Sequence, residues 1–279
     1  MIKVALPNKG VLFEPTMDIL SSCGYKVSKT LRSLNSLDEA NGVEFFFLRP
    51  GDIPVYVANG ILDAGITGKD FVEEKGVKLA PLLDLDFGQS KLRLAVPESD
   101  QTRRAVPDFR SSRIATSFPN IVRNKVGGGT LVVLEGAVEI SIKMGIADAI
   151  ADIVETGTTL KQAGLKVVGD PLFVSEAALF AHPGRENQPE VQVMKSRLWG
   201  RRIARSYMMV EYDVPSDKLD KACELTPGIE SPTVTALRKT GWFSVKAMIE
   251  KSRAHSVMDK LAELGGKGIL LTAIESARI

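Results

Sequence analysis

Residues 2–7, "IKVALP", are an almost continuous apolar run stopped by Pro7, which predicts a short buried strand. Past the polar Asn8-Lys9-Gly10, Leu12, Ile19, Leu20 and Cys23 recur at helical spacing, so the chain opens with a strand–loop–helix unit. "VEFFFLR" (43–49) predicts a second strand. "GDIPVYVANG" (51–60) predicts a short helix with Asp52 as N-cap, Pro54 in the first turn and Gly60 at its end. "ILDAGITG" gives a third strand and "KDFVEEKG" a helix closed by Gly76. Strands alternating with helices predict a mostly parallel sheet with helices on both faces.

The pattern then echoes itself. "VALPN" at 4–8 is answered by "IATSFPN" at 114–120, and "NGILDAGITG" at 59–68 by "MGIADAIADI" at 144–153. Two echoes in one order predict two similar α/β lobes. "KLRLAVPE" (91–98) reads as the strand crossing from the first lobe to the second, and "SEAALFAHP" (175–183) as the route back. Two crossings make a hinge with a cleft between the lobes, where such folds hold ligands at the carboxyl ends of their strands. From residue 206 the rhythm changes: strand 206–214, helix 216–224, strands 232–238 and 241–250, helix 254–264 and strand 267–275. That order is βαββαβ, a ferredoxin-like sandwich. The expected domains are lobe I (1–90 and 180–205), lobe II (91–179) and a C-terminal domain (206–279).

Composition narrows what such a molecule does. The chain has 279 residues, 44% of them hydrophobic, 25% charged, and a net charge of +2, with cations scattered rather than clustered. That argues against a nucleic-acid partner. No run reaches the roughly 18 apolar residues of a membrane span, and the start lacks a secretion signal's apolar core, so the expected location is the cytoplasm. The two cysteines, Cys23 and Cys223, lie on apolar helical stretches and are expected as buried free thiols. Only two histidines, His182 and His255, are present, and they support neither a zinc cluster nor a Ser–His–Asp set. Chemistry must then run on phosphates, carboxylates, Lys, Arg and backbone dipoles.

"ADIVETGTTLKQAG" (151–164) carries that chemistry. Asp148 and Asp152 fall on or beside a strand; Glu155-Thr156-Gly157-Thr158-Thr159 form a turn, and a helix follows that Gly164 ends. A helix start offers unpaired N–H groups, Gly157 lets the backbone wrap an anion, and the Thr hydroxyls add donors, so a phosphate suits the loop. Acidic residues just ahead of it suit a phosphorylated sugar, whose hydroxyls need acceptors. The same loop could also be a plain capped strand-to-helix turn. Lys9, after the first strand, and Arg49, at the end of the second, add two cations at carboxyl ends facing the proposed cleft, which would suit a polyphosphate.

Five segments give a sharper answer: "PNKG" (7–10), "VEFFFLRPGDIPVYVANGILDAGITGKD" (43–70), "RIATSFPNIVR" (113–123), "GAVEISIKMGIADAIADIVETGTTL" (136–160) and "TPGIESPTV" (226–234). Through them the chain resembles the long form of the ATP phosphoribosyltransferase family over essentially its whole length. The resemblance implies two periplasmic-binding-protein-like lobes with a cleft, plus a C-terminal ferredoxin-like regulatory domain. It implies a Mg2+-dependent transfer in which N1 of ATP displaces pyrophosphate from C1 of phosphoribosyl pyrophosphate, opening histidine biosynthesis. By position, Thr156, Gly157, Thr158, Thr159 and Leu160 would hold the 5′-phosphate and Asp152 the ribose hydroxyls. Lys9 and Arg49 would bind polyphosphate or departing pyrophosphate, and Glu139, Asp70 and Phe118 would line the cleft. Substrate oxygens would carry most of the metal's coordination, so no direct protein ligand is named.

The resemblance further implies feedback inhibition by histidine at Asp213, Ile229, Thr233 and Gly268, and a homohexamer built from dimers. With this domain present, no separate partner subunit is expected. The rival reading is a two-lobed solute-binding or amino-acid-sensing protein without turnover, since a fold does not fix function. One departure stands out: "NKVGGGTLVVLE" (124–135) is brief and Gly-rich where the family usually has a longer helix.

Overall fold

The computed structural model describes residues 1–30, 33–154 and 158–278, with the backbone alone at Pro107, Thr158 and Thr159. One compact unit ends at Lys195 and a second begins at Ser196.

The first unit holds two sheets. Its chain order is β1 (Ile2–Pro7), α1 (Phe13–Ser22), β2 (Asn35–Asp38), β3 (Val43–Leu48), α2 (Ile53–Ala58), β4 (Ala64–Gly68), α3 (Lys69–Lys75) and β5 (Ala80–Asp84). Then come β6 (Ser90–Pro97), β7 (Arg113–Thr116), α4 (Pro119–Val126), β8 (Thr130–Val133), α5 (Ile140–Lys143), β9 (Ala149–Val154), α6 (Thr158–Gln162), β10 (Leu165–Ser175) and β11 (Ala177–Ala181). Helix α7 (Pro189–Ser206) begins here and runs on into the second unit. The sheet of lobe I has the order β2-β3-β1-β4-β11-β5, and that of lobe II β10-β6-β9-β7-β8.

The sheets are mixed, which corrects the expectation of a mostly parallel one. Strands β1, β3 and β4 are parallel, as are β7, β8 and β9. The crossing strands enter against them: β11 runs antiparallel to β4 and β5, and β6 antiparallel to β9 and β10. Once β2 is set aside, the two sheets share one topology. The order β3-β1-β4-β11-β5 matches β8-β7-β9-β6-β10, and each lobe lends the other the strand that completes it.

The echoed "Gly-Ile-x-Asp-Ala" has a structural cause. Asp63 accepts the Lys3 N–H at 2.7 Å and returns its own N–H to the Lys3 carbonyl at 2.8 Å. Asp148 repeats both bonds with Arg113, at 2.9 Å each. Each Asp also takes an arginine, Arg185 at 2.6 Å and Arg113 at 2.7 Å. Both pairs join neighbouring strands at their amino ends, opposite the edge where ligands of such sheets bind.

The core of lobe II is built from Leu92, Leu94 and Val96, alternate residues of β6 on one side of the sheet, together with Ile114 of β7, Ala151 of β9 and Ile121 and Val122 of α4. On the other side Ala95, Ile150, Leu160 and Leu165 pack with Val138. The Gly-rich departure is tightly packed. Helix α4 ends at Gly127 (φ 67°), and a Cβ on Gly129 would lie 2.8 Å from the Ser112 carbonyl and 2.9 Å from that of Phe109. Those contacts leave room only for glycine.

Two local expectations change. Asp52 stands at the N-cap of α2 but its side chain caps nothing; its backbone carbonyl accepts from Val55 at 3.0 Å instead. Cys23 and Cys223, expected to be buried, are only half-buried, and neither is in a disulfide.

The second unit follows the βαββαβ order with β12 (Tyr207–Pro215), α8 (Leu219–Leu225), β13 (Thr233–Ala236), β14 (Trp242–Glu250), α9 (Ala254–Glu263) and β15 (Lys267–Ala273). Its antiparallel sheet has the order β13-β14-β12-β15. Val210, Tyr212, Val214, Val245, Ala247 and Ile249 pack with Ala222, Val257 and Leu261 of the helices, while Glu211 and Lys246 pair at 3.5 Å on the open face. The buried Tyr212 hydroxyl meets Thr226 Oγ1 at 2.8 Å, and burial pushes its pKa up to about 12. Among the described residues no helix is long and apolar enough to cross a membrane.

Candidate functional site

Lobe I presents its cations at the carboxyl edge. The register pairs Pro7 with Leu48, and the Asn8 N–H donates to the Leu48 carbonyl at 2.8 Å, so Lys9 and Arg49 leave neighbouring strands side by side. Both side chains are exposed, and among the described residues neither forms an ion pair. The Arg49 carbonyl accepts from Asp52 at 2.9 Å and Ile53 at 3.3 Å, which turns the chain into α2. A third cation, Lys29, joins them. Its ammonium lies over the rings of Phe13 (4.8 Å) and Phe47 (5.7 Å) and donates to the Asn8 carbonyl. Nothing in "KVSKT" (26–30) marks Lys29 in the sequence; the fold alone brings it to Asn8.

Lobe II presents carboxylates. Asp152 lies on β9, half-buried, and accepts the Ile153 N–H at 2.8 Å. Its pKa is raised, first by burial and further by the charge of Glu139, against the opposing bond from the Ile153 N–H. Glu139 stands at the N-cap of α5, half-buried, with no side-chain capping bond. The next strand brings Arg93 opposite Asp152; it donates to the Gly169 carbonyl at 2.6 Å and has a buried Nε without a partner. Pattern reasoning misses that arginine too, because on β6 Lys91 and Arg93 alternate with apolar residues as solvent-facing strand positions do. Leu160 is a core residue, 6% exposed. Its side chain packs inward, so only its backbone is available to a ligand. Thr156 and Gly157 lie outside the described residues, and so do the side chains of Thr158 and Thr159, which open α6.

The edges of the two lobes meet at the crossings. Lys69, directly after β4, and Val154, the last residue of β9, line one cavity of 530 Å³ with Gln89, Ser90, Ser175 and Glu176. Lys69 pairs with Asp84 at 2.8 Å and Glu176 at 2.9 Å, and these bonds raise its pKa against the opposing effect of burial. Asp70 and Phe118 are both interior, at 6% and 5% exposure. The Asp70 carboxylate accepts the Phe71 N–H at 2.9 Å, while the Asp70 N–H donates to Ser175 Oγ at 3.0 Å; burial raises its pKa. Phe118 meets Phe71 with ring centroids 5.9 Å apart, so these two candidates sit in the joint between the lobes. Among the described residues no group of three His, Cys, Asp or Glu side chains is placed to hold a metal ion.

The four positions singled out in the second unit divide into two pairs. A Cβ on Gly268 (φ 57°) would lie 3.9 Å from Asp213 Oδ2, so those two are neighbours across β12 and β15. Thr233 lies on the edge strand β13, opposite Lys246 of β14, and Ile229 is 42% exposed in the loop before it. Strand β14 separates β13 from β12. Two strand spacings, roughly 10 Å, therefore part Thr233 from Asp213 within one chain.

Comparison with known proteins gives concordant matches. The family described as "HisG: ATP phosphoribosyltransferase" matches residues 49–200, and "HisG, C-terminal domain" matches residues 204–276. The ATP phosphoribosyltransferase of Corynebacterium jeikeium is 46% identical over 100% of both chains. That of Corynebacterium glutamicum strain R is 44% identical, again over 100% of both. Among solved structures, a chain of the ATP phosphoribosyl transferase (HisG:HisZ) complex from Thermotoga maritima superposes with a TM-score of 0.62 at 30% identity, covering 71% of this chain and 96% of that one.

Proposed function

The chain belongs to the ATP phosphoribosyltransferase family, and from that premise we propose that it joins N1 of ATP to C1 of phosphoribosyl pyrophosphate, releasing pyrophosphate, at the first step of histidine biosynthesis. The observation that carries the reading is the division of charge between the lobes. In support of it, Lys9 and Arg49 leave neighbouring strands of lobe I side by side, while Asp152 lies on β9 of lobe II, where the charge of Glu139 helps burial to raise its pKa.

The bond to pyrophosphate breaks as the bond to N1 forms, so positive charge grows on the ribose and negative charge on the leaving group. Preorganised charges positioned for both do most of the catalysis. In this reading the loop 156–160 holds the 5′-phosphate, and Asp152 accepts from the ribose hydroxyls and faces the developing oxocarbenium. Lys9 and Arg49 receive the polyphosphate of ATP or the departing pyrophosphate. Glu139 keeps Asp152 in a negative field, and Asp70 and Phe118 form the cleft wall from behind. Mg2+ would supply charge neutralisation on the phosphates; substrate oxygens would carry most of its coordination, and Asp152 and Glu139 are the carboxylates that would be open to it. The cytosol supplies these substrates and keeps both thiols free.

For the second unit we infer inhibition by histidine and assembly into a homohexamer. Asp213 and Gly268 would take one part of the amino acid, and Ile229 and Thr233 of another copy would take the rest, because one chain holds the pairs apart. The test is an absorbance assay for phosphoribosyl-ATP with ATP, phosphoribosyl pyrophosphate and Mg2+, run with and without histidine. Turnover that histidine suppresses supports both readings. Turnover without suppression removes the regulatory one, and no turnover by folded protein removes the transferase.

A further inference from the structure

Helix α3 is seven residues long, and four of them bind outside it. Lys69 reaches Glu176 on the return crossing, Asp70 meets Ser175 beside it, and Phe71 packs on Phe118 of lobe II. The fourth, Glu74, is 8% exposed and binds the start of α4 in lobe II. Its carboxylate accepts the Asn120 N–H at 3.0 and 3.1 Å and the Ile121 N–H at 3.1 Å, while Asn120 Nδ2 donates to the Glu74 carbonyl at 2.8 Å. Helix α4, of eight residues, receives no side-chain cap from Phe118 at its own N-cap position. Glu74 supplies that cap from the other lobe. A carboxylate is the strongest partner for helix-start N–H groups, and a buried one stays only where such donors pair it.

We infer that Glu74 is a positioning residue for the transferase reaction, latching α4 so that Lys9 and Arg49 of lobe I stay in register with Asp152 of lobe II. The inference rests on the proposed transferase function. Two-lobed proteins with a plain hinge swing open by rotating about their crossing strands. Here the Glu74 bonds to α4 are an attachment in addition to the two crossings, and they oppose that rotation. Reacting atoms must be held within a fraction of an ångström, so loosening the latch slows the chemical step more than it weakens either substrate.

The wild-type chain is assayed first, so that a failure of the transferase reading shows itself before any variant is made. Glu74→Ala is expected to lower kcat at least about tenfold with each KM within about threefold, the pattern of lost positioning. Glu74→Gln keeps one carbonyl acceptor but loses the charge, so it is expected to recover only part of that loss, with kcat about threefold below the wild type. Small-angle scattering of free Glu74→Ala should show a larger radius of gyration than the wild type. A Glu74→Ala protein with a lower Tm but unchanged kcat and scattering would show a local stabilising bond and overturn the inference. Should Glu74→Ala not fold, Glu74→Gln decides: kcat about threefold down with both KM values unchanged supports the latch, and unchanged kcat overturns it.

Discussion

Each lobe sends the third strand of its parallel trio through Thr-Gly into a helix, yet the two turns are finished differently. In lobe I the sequence is Thr67-Gly68-Lys69-Asp70, with α3 starting at Lys69; in lobe II it is Thr156-Gly157-Thr158-Thr159, with α6 starting at Thr158. Lobe I fills its own turn. The Asp70 carboxylate folds back to accept the Phe71 N–H, and Lys69 is held by Asp84 and Glu176. A turn that contains its own anion has no place for another. Lobe II replaces the acid and the base with two threonines, which on our reading leaves the helix-start donors to a substrate phosphate. Two segments at the same place in one topology thus differ in whether an acid and a base are built into them.

The largest expected effect comes from making the second turn resemble the first. Thr159→Asp places a carboxylate two residues past the glycine, where Asp70 stands in lobe I. Like charge against the 5′-phosphate should cut kcat/KM for phosphoribosyl pyrophosphate by at least about 100-fold, with a near-wild-type Tm. A variant that keeps its affinity for this substrate would show that the phosphate binds elsewhere.

The next test breaks the filled turn. A Cβ on Gly68 would lie 2.1 Å from Asp70 Oδ1, while the backbone there (φ −73°, ψ 143°) admits any residue, so the obstacle is steric alone. Gly68→Ala should cost about 2 kcal/mol, read in urea or as a lowered Tm. Adding Asp70→Ala should relieve part of that loss, so the double variant should be less destabilised than the sum of the single ones. Strict additivity would mean that Gly68 is required for some other reason than the folded-back carboxylate.

The sequence carried the architecture where alternation and punctuation were strong. The run at 43–48, the glycines at 60, 76 and 164 and the paired Asp63 and Asp148 mark out strands and helix ends that the fold contains. Less legible were the contacts made by single polar residues whose partners are far along the chain. Glu74 meets Asn120 forty-six positions away and Lys69 meets Glu176 at a separation of 107. No local periodicity encodes such pairs. The mixed sheets were missed for the same reason: a crossing strand reads as apolar whichever way it runs, and direction is set by the strand it joins. The site was legible mainly as types of residue at strand ends. That Asp70 and Phe118 are interior while Lys9 and Arg49 are exposed depends on how the lobes close on each other.

The smallest expected effect concerns the charge of Asp70 itself. Burial raises its pKa above the ordinary carboxyl range, against the opposing bonds from Ser175 and Phe71. The folded chain therefore holds this proton more tightly than the unfolded one. Stability linked to the group is complete below the unfolded pKa and is lost as pH rises through the folded one. Asp70→Asn keeps an oxygen for the Phe71 N–H and cannot ionise, so it should escape that loss. In urea unfolding from about pH 3.5 to 6, the wild type should lose stability relative to Asp70→Asn as pH climbs, with the difference levelling off once the carboxyl is ionised. Parallel curves would mean that the carboxylate titrates as an exposed one does. In that case the turn of lobe I would be open to water, and the contrast between the two lobes would rest on sequence alone.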